Sequence, residues 1–503
     1  MKQNNQIKVG ALLSYISIGI NILAGLLYTP WMISQIGKSD YGLYTLANSL
    51  ITMFLIDFGL SSATSRYVSK YIAEGKQEKA NNFLGMVYKL YLIVDIVIFI
   101  ALAVVYFCID IIYIKLTPEE IAKFKVVYSI AAVYSVVNFP FVTLNGILTS
   151  YEKFIQLKLA DIIQRILTVS LTVIALCNNM GLYALVTVNA LSGIIVIVYK
   201  YIIVSKSTPV RVNFKFSDKA LYKSIFLFSF WSTVSTLAQR LIFNITPTIL
   251  GIAADSTAIA VFGVITTIEQ YSYLITSAIN GMFMPKISRI YAGSDESADI
   301  MPLMIKVGRF QFALNGLITV GFATVGKAFI NVWMGSDFTE AYLGILLVII
   351  PGMFFNSLQI ANTAMVVKNK VKEQAWIMIA MGCLNVICSF VLSSLYGVMG
   401  ACFSIFLAYS LRAVLYHIVH KTVMKLDIVY FIKKCYLRML PSVLITLLFG
   451  MLLNSLIADV GWLILGIKAI LLVFVYIMTI VVFSLTVEEK KALWRLSNKI
   501  IKK

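Results

Sequence analysis

Residues 53–71 read MFLIDFGLSSATSRYVSKY. The apolar run Met53-Phe54-Leu55-Ile56 meets Asp57, then Gly59 and the small residues Ser61, Ser62, Ala63, Thr64 and Ser65, and the stretch ends on Arg66 and Lys70. Its apolar start predicts a membrane helix, where a carboxylate costs roughly 2.5–3.5 kcal/mol. The rest of the chain supports a membrane setting. Of its 503 residues, 60% are hydrophobic and 13% charged, with mean hydropathy +0.89, whereas soluble domains carry about 25% charge. Apolar runs of roughly 20 residues, enough to cross a bilayer core, recur from end to end. None has the alternating pattern of barrel strands, so the spanning elements are helices.

Gly, Pro and clustered charge divide the chain into about fourteen spans, which predicts an all-α polytopic membrane protein. All but nine of the 42 Lys and Arg fall on one side of that ladder, helix ends included. Lys38, Lys115, Lys123, Lys125 and Lys327 lie on the other side, and Lys89, Arg165, Arg240 and Lys468 lie within spans. Basic residues concentrate in the cytoplasm, so both termini are expected there. The tail 488–503 is a basic cytoplasmic end, either resting on anionic lipid or solvated. The net charge of +19 is thus a topology signal, and no nucleic-acid partner is expected. Six scattered cysteines form no C-x-x-C pair. MKQNNQIKVG runs into the first span without a small-residue cleavage site, so residues 12–36 are expected to remain as a first helix.

Three landmarks repeat nearly in register. Thr29-Pro30 matches Thr246-Pro247 and Asn145 matches Asn362, both at the same offset along the chain. Met180-Gly181-Leu182-Tyr183-Ala184 matches Tyr396-Gly397-Val398-Met399-Gly400 at an offset shorter by a single position. This predicts two pseudo-symmetric six-helix lobes, residues 1–205 and 223–421, joined by a cytoplasmic linker, 206–222. Helices 13 and 14 follow in 422–487. Six is even, so the halves form a parallel repeat about the membrane normal, with a central cavity: the plan of an alternating-access transporter. Pro30 and Pro247 each remove a backbone hydrogen bond and are placed as bends.

Charges inside spans must face protein or water. Asp57, Asp95, Asp161 and Glu269 stand against Lys89, Arg165, Arg240 and Lys468. Arg240 and Asn244, one turn apart, either line the cavity, with the guanidinium fork offered to a phosphate, or Arg240 pairs with Glu269 on the next helix. Glu269 is also a candidate for a proton or ion role. Asp161 and Arg165 are spaced to pair along one face. Lys89 and Lys468 are placed as snorkelling residues, and Asp95 needs an internal partner. Asp57 is either a hydrogen-bond acceptor among close-packed small residues or the partner of a cavity cation. Arg66 and Lys70 mark the cytoplasmic mouth, where a lipid diphosphate first meets positive charge, unless they serve only as positive-inside anchors.

Gly37-Lys38-Ser39 lacks the first glycine of a phosphate-binding loop, so direct drive by ATP is not expected. His417 and His420 have no third ligand in view and read as an interfacial helix end, not a metal site. The loops leave no room for a soluble catalytic fold, so the chain is not expected to be an enzyme.

Asp57-Phe58-Gly59-Leu60, the small residues after it, Arg66-Tyr67-Val68 and Glu74-Gly75-Lys76 together resemble the second-helix signature of polysaccharide-unit flippases. That family belongs to the multidrug/oligosaccharidyl-lipid/polysaccharide exporter superfamily. Gly37-Lys38-Ser39-Asp40-Tyr41-Gly42-Leu43-Tyr44 is similar to its first outer turn, and Met284-Pro285-Lys286-Ile287-Ser288-Arg289 to the end of its eighth helix. The resemblance implies a multi-pass protein of the bacterial cytoplasmic membrane that moves undecaprenyl-diphosphate-linked oligosaccharide to the outer leaflet. It implies no cofactor beyond a coupling ion, H⁺ or Na⁺. It implies membrane lipids and the polymerase or glycosyltransferases of the same pathway as partners. Many relatives carry an acid in the seventh helix, where this chain has Gln239-Arg240 and Asn244. Two other readings stay open: a cation-coupled drug or metabolite antiporter of the same superfamily, and a membrane glycosyltransferase or polymerase.

Overall fold

A computed structural model describes residues 3–277, 283–292, 300–457, 461–485 and 490. The basic tail expected over 488–503 lies outside the described residues, apart from Lys490. Nineteen α-helices and no strand appear among the described residues. In chain order they are α1 Gln3–Ile36, α2 Lys38–Phe54, α3 Leu60–Ala73, α4 Gln77–Ile112, α5 Pro118–Asn138, α6 Thr143–Ser150 and α7 Phe154–Cys177. Then come α8 Gly181–Ser207, α9 Lys219–Phe243, α10 Thr246–Ala253, α11 Ser256–Ser277, α12 Met284–Ala292 and α13 Met301–Met334. The last are α14 Ala341–Asn356, α15 Gln359–Val367, α16 Val371–Thr422, α17 Ile428–Lys434, α18 Tyr436–Leu456 and α19 Gly461–Thr479.

Nine stretches of described helix are long and apolar enough to cross a membrane, ten if α14 and α15, bent by 56°, form one span. Short breaks separate α2 from α3 and α9 from α10. The 52-residue α16 is two helices meeting at Gly397, whose φ of 54° no continuous helix allows. On α4, Leu92, Ile93, Ile96, Val97, Phe99 and Ile100 are 47–61% exposed. An apolar band of that size in the open is a lipid-facing surface.

The repeat expected from sequence recurs as backbone geometry. Gly181 and Gly397 both adopt positive φ, 64° and 54°. Glu152 and Asn369, separated by the same offset as Asn145 and Asn362, sit at φ 56° and 57°. The residue after each donates to a carbonyl five positions back, Lys153 to Leu148 at 2.8 Å and Lys370 to Met365 at 2.7 Å. These are matching left-handed helix stops. The prolines diverge. Helix α1 runs unbroken through Pro30, whereas the counterpart span stops at Phe243 and restarts as α10 with Pro247 in its first turn, where no N–H is needed.

Contacts divide the chain into two compact units, residues 1–263 with 378–401, and 264–377 with 402–503. In the first, α7 packs on α1 and α8, α3 on α6, and α2 on α5. In the second, α13 packs on α14, α18 and α19. There Lys468 corrects the snorkelling expectation. It is fully buried and donates to Asn454 Oδ1 at 3.0 Å and to the Ile457 carbonyl at 2.7 Å, so the ammonium secures the end of α18. Lys468→Met keeps the bulk but strips both acceptors of a donor. We expect a stability loss of about 1–3 kcal/mol, measured as a lower unfolding midpoint in detergent; an unchanged midpoint would show that those bonds are dispensable.

Candidate functional site

Asp57 is not inside a helix. Residues 55–59 form a break between α2 and α3, with Phe58 at φ 50° and Gly59 at φ 68°. The Asp57 carboxylate accepts from the Gly59 N–H at 3.0 Å, and its carbonyl accepts from Leu60 N at 2.9 Å. The acid therefore stands in for backbone that a continuous helix would have paired, the usual role of aspartate beside a helix start. Such a break also leaves carbonyls of α2 without intrahelical partners. Arg240 fills that need: its Nη2 donates to the Leu55 carbonyl at 2.8 Å. Asn244 reaches the Ser49 carbonyl more loosely, at 3.5 Å. A cation at the negative end of a helix is favourable, so Arg240 is bonded to α2, with Asp57 as its charged neighbour. Its Nε and Nη1 are buried and hydrogen-bond to no described residue, leaving two donors of the fork uncommitted.

The break in the α9–α10 span is served in the same way. Asn385 Nδ2 donates to the Leu241 carbonyl at 3.0 Å and to Thr246 Oγ1 at 3.4 Å. Sequence reasoning passes over Asn385, although an amide among the apolar residues of its span is the available signal.

A second polar locus is a cavity of about 580 Å³ bordered by Ser61, Ser65 and Arg66 of α3, Asn145 and Thr149 of α6, and Asp161 of α7. It brings together two of the expected site residues, Arg66 and Asp161. The i, i+4 pairing expected for Asp161 and Arg165 does not form. Asp161 instead pairs with Lys158 at 3.2 Å, and Arg165, with Tyr28 and Tyr44 as electrostatic neighbours, has a buried Nε without a described partner. Lys158 is nearer the helix end and reaches the carboxylate along one turn. Lys200 of α8 donates to Asn145 Oδ1 at 3.0 Å and lies in the field of Asp161. The charged side chains of the lining are thus Arg66 and Asp161, with Lys158 paired to Asp161 and Lys200 bonded to Asn145 beside it. Lys70 lies one turn beyond Arg66, exposed, 3.9 Å from Glu74. Lys76 hydrogen-bonds Glu74 at 2.8 Å and holds its carboxyl below the ordinary range.

Glu269 lies in the second unit. Its charged neighbour is Arg412, which is 7% exposed and sandwiched between the rings of Phe355, 3.7 Å away, and Tyr409, 4.0 Å away. Such stacking suits a weakly hydrated guanidinium. By position alone Arg412 reads as a helix-end cation; it is a buried partner within α16. The histidines lie at the end of α16, as expected, with their rings packed inside the protein. His420 is fully buried, and His417 meets the Ala413 carbonyl at 2.6 Å and the Tyr436 hydroxyl at 3.1 Å. No cluster of metal-ligating side chains occurs among the described residues. Lys89 donates to the Phe216 carbonyl at 2.9 Å. Asp95 keeps a buried Oδ1 with no hydrogen-bond partner among the described residues.

This fold is shared with solved transporters. The structure is similar to a lipid II flippase, MurJ, in an inward closed conformation, with TM-score 0.74 and 13% identity over 94% of this chain and 98% of that one. It is similar to an inward-facing multidrug resistance MATE family transporter of the MOP superfamily, with TM-score 0.69 and 13% identity over 84% and 99%. A MOP superfamily transporter from Pyrococcus furiosus aligns with TM-score 0.56 and 13% identity over 84% and 96%. At such identity the likeness is one of fold. No curated protein sequence matches the chain significantly. The family described as polysaccharide biosynthesis protein matches residues 7–291, more than half of the sequence, and it includes the helix break, Arg240, Glu269 and the α3–α6–α7 cavity. The chain therefore belongs to the polysaccharide biosynthesis protein family, within an architecture used by MOP superfamily transporters.

Proposed function

We propose that the protein moves undecaprenyl-diphosphate-linked oligosaccharide repeat units from the cytoplasmic to the outer leaflet of a bacterial membrane, by alternating access, with both termini cytoplasmic. The observation that carries this is the chemistry of the α3–α6–α7 cavity. Hydroxyls and an amide, Ser61, Ser65, Asn145 and Thr149, offer neutral hydrogen bonds suited to sugars. The cations at and beside it, Arg66 in the lining and Lys200 bonded to Asn145, suit a phosphate, with Asp161 held by Lys158. The same cations suit a cationic drug less well, which ranks the antiporter second. Likeness to a lipid II flippase supports a lipid-linked cargo. A proton or sodium ion supplies the coupling, and polymerase or glycosyltransferases of the pathway use the product.

Deletion followed by leaflet-specific labelling of lipid-linked glycan tests this. The glycan is expected to accumulate on the inner leaflet and disappear from the outer one. Unchanged leaflet distribution, with export of dye-like cations lost instead, would replace the flippase by the antiporter.

A further inference from the structure

The segment between α8 and α9 is not a slack tether. Residues 208–217 contain no helix, yet their backbone is stitched along the first turns of α4. The Arg211 N–H donates to Asn81 Oδ1 at 3.0 Å and the Asn213 N–H to the Asn81 carbonyl at 3.2 Å. Asn213 Nδ2 donates to Asn82 Oδ1 at 2.7 Å, and Asn213 Oδ1 accepts from the Lys215 N–H at 3.1 Å, closing an Asx turn. Gly85 makes this approach feasible, because a Cβ there would overlap the Asn213 carbonyl. Lys89 clamps the far end at the Phe216 carbonyl, and Phe214 rests 6.1 Å from the Tyr88 ring.

This order holds an unusual set of side chains outward. Lys206, Arg211, Lys215 and Lys219 are all exposed, and Phe214 is 51% exposed among them. Asp218, the acid within the segment, is engaged in capping α9 through the Ala220 N–H at 2.8 Å. The level of the segment follows from α4. The exposed apolar band starts at Leu92, so at 1.5 Å per residue the contacts at Asn81 to Lys89 lie roughly 5–17 Å from it. That is the zone of lipid headgroups and the layer just beyond them. Exposed aromatics beside lysine and arginine suit that zone, the ring in the acyl boundary and the cations on phosphate.

We propose that residues 206–219 form a preassembled docking strip for anionic phospholipid, with Lys206, Arg211, Lys215 and Lys219 meeting headgroup phosphates and Phe214 entering the acyl boundary. The test uses Phe214→Trp in the full-length protein, in vesicles of phosphatidylcholine with or without phosphatidylglycerol. The emission it adds over the parent protein is recorded. With phosphatidylglycerol that emission is expected to be blue-shifted and quenched about threefold by brominated acyl chains, and raising salt to screen the headgroups should reverse much of the quenching. Combining it with Lys206→Glu, Arg211→Glu, Lys215→Glu and Lys219→Glu should return the emission to that of indole in water. The salt and lipid titrations need only the single substitution, so they stand even where the charge reversals impair insertion. Water-like, unquenched emission with phosphatidylglycerol would overturn the proposal. So would quenching indifferent to both salt and anionic lipid. Neither readout depends on what the protein transports.

Discussion

Arg240→Ala is expected to reduce outward movement of lipid-linked glycan by roughly tenfold to a hundredfold, the equivalent of one or two charge-assisted hydrogen bonds, while the protein stays inserted. The side chain does two things at once. Through Nη2 it closes the open end of α2 at Leu55, and its Nε and Nη1 have no described partner. Truncation exposes the Leu55 carbonyl to unpaired burial and removes a phosphate-competent fork. Arg240→Lys separates the two effects. An ammonium can still meet one carbonyl, which should restore stability, but it lacks the planar fork and should leave export low. Leaflet-specific labelling at matched protein abundance reads the outcome. Normal export in Arg240→Ala would remove this residue from the substrate path.

Gly42→Leu carries the largest structural effect. Gly42 is buried on α2, and a Cβ there would lie 2.8 Å from the carbonyl carbon of Ser256 and 3.3 Å from Ala260 N, both backbone atoms of α11. A flexible side chain can yield to an intruding methyl; helix backbone cannot. The neighbourhood offers no slack. Ser256 Oγ donates to Glu120 Oε1 at 2.5 Å and Ser39 Oγ to the same oxygen at 2.6 Å, which ties the starts of α2, α5 and α11 together. Overpacking typically costs about 1–3 kcal/mol and more where backbone must move, so the unfolding midpoint in detergent should fall by several degrees or more. A midpoint equal to that of the parent protein would mean that α2 and α11 do not cross at Gly42 in solution.

Both predictions rest on features that differ in how far sequence exposes them. Residue composition, span order and the repeat are periodic or cumulative properties. Hydropathy sums over a whole span, and the repeat offset is shared by several landmarks, so an error at one position does little harm. The matching helix stops at Glu152 and Asn369 follow from that regularity. The charged residues behave differently. Spacing pairs Asp161 with Arg165, yet Lys158 holds it; position sends Lys468 toward water, yet Asn454 and Ile457 hold it. Spacing restricts which residues share a face but does not choose between partners three and four positions away.

Asp57 shows most plainly where the division falls. From its sequence alone this chain is a ladder of membrane-crossing helices with a repeated set of landmarks, because lipid tolerates only apolar side chains and internally bonded backbone over that thickness. Only the folded arrangement decided that the helix opens at residues 55–59 and that a guanidinium 185 positions later closes the gap. A broken hydrogen-bond ladder is stable in a membrane only if another segment supplies the missing partners. Which segment does so is a property of distance in space, to which order along the chain is blind.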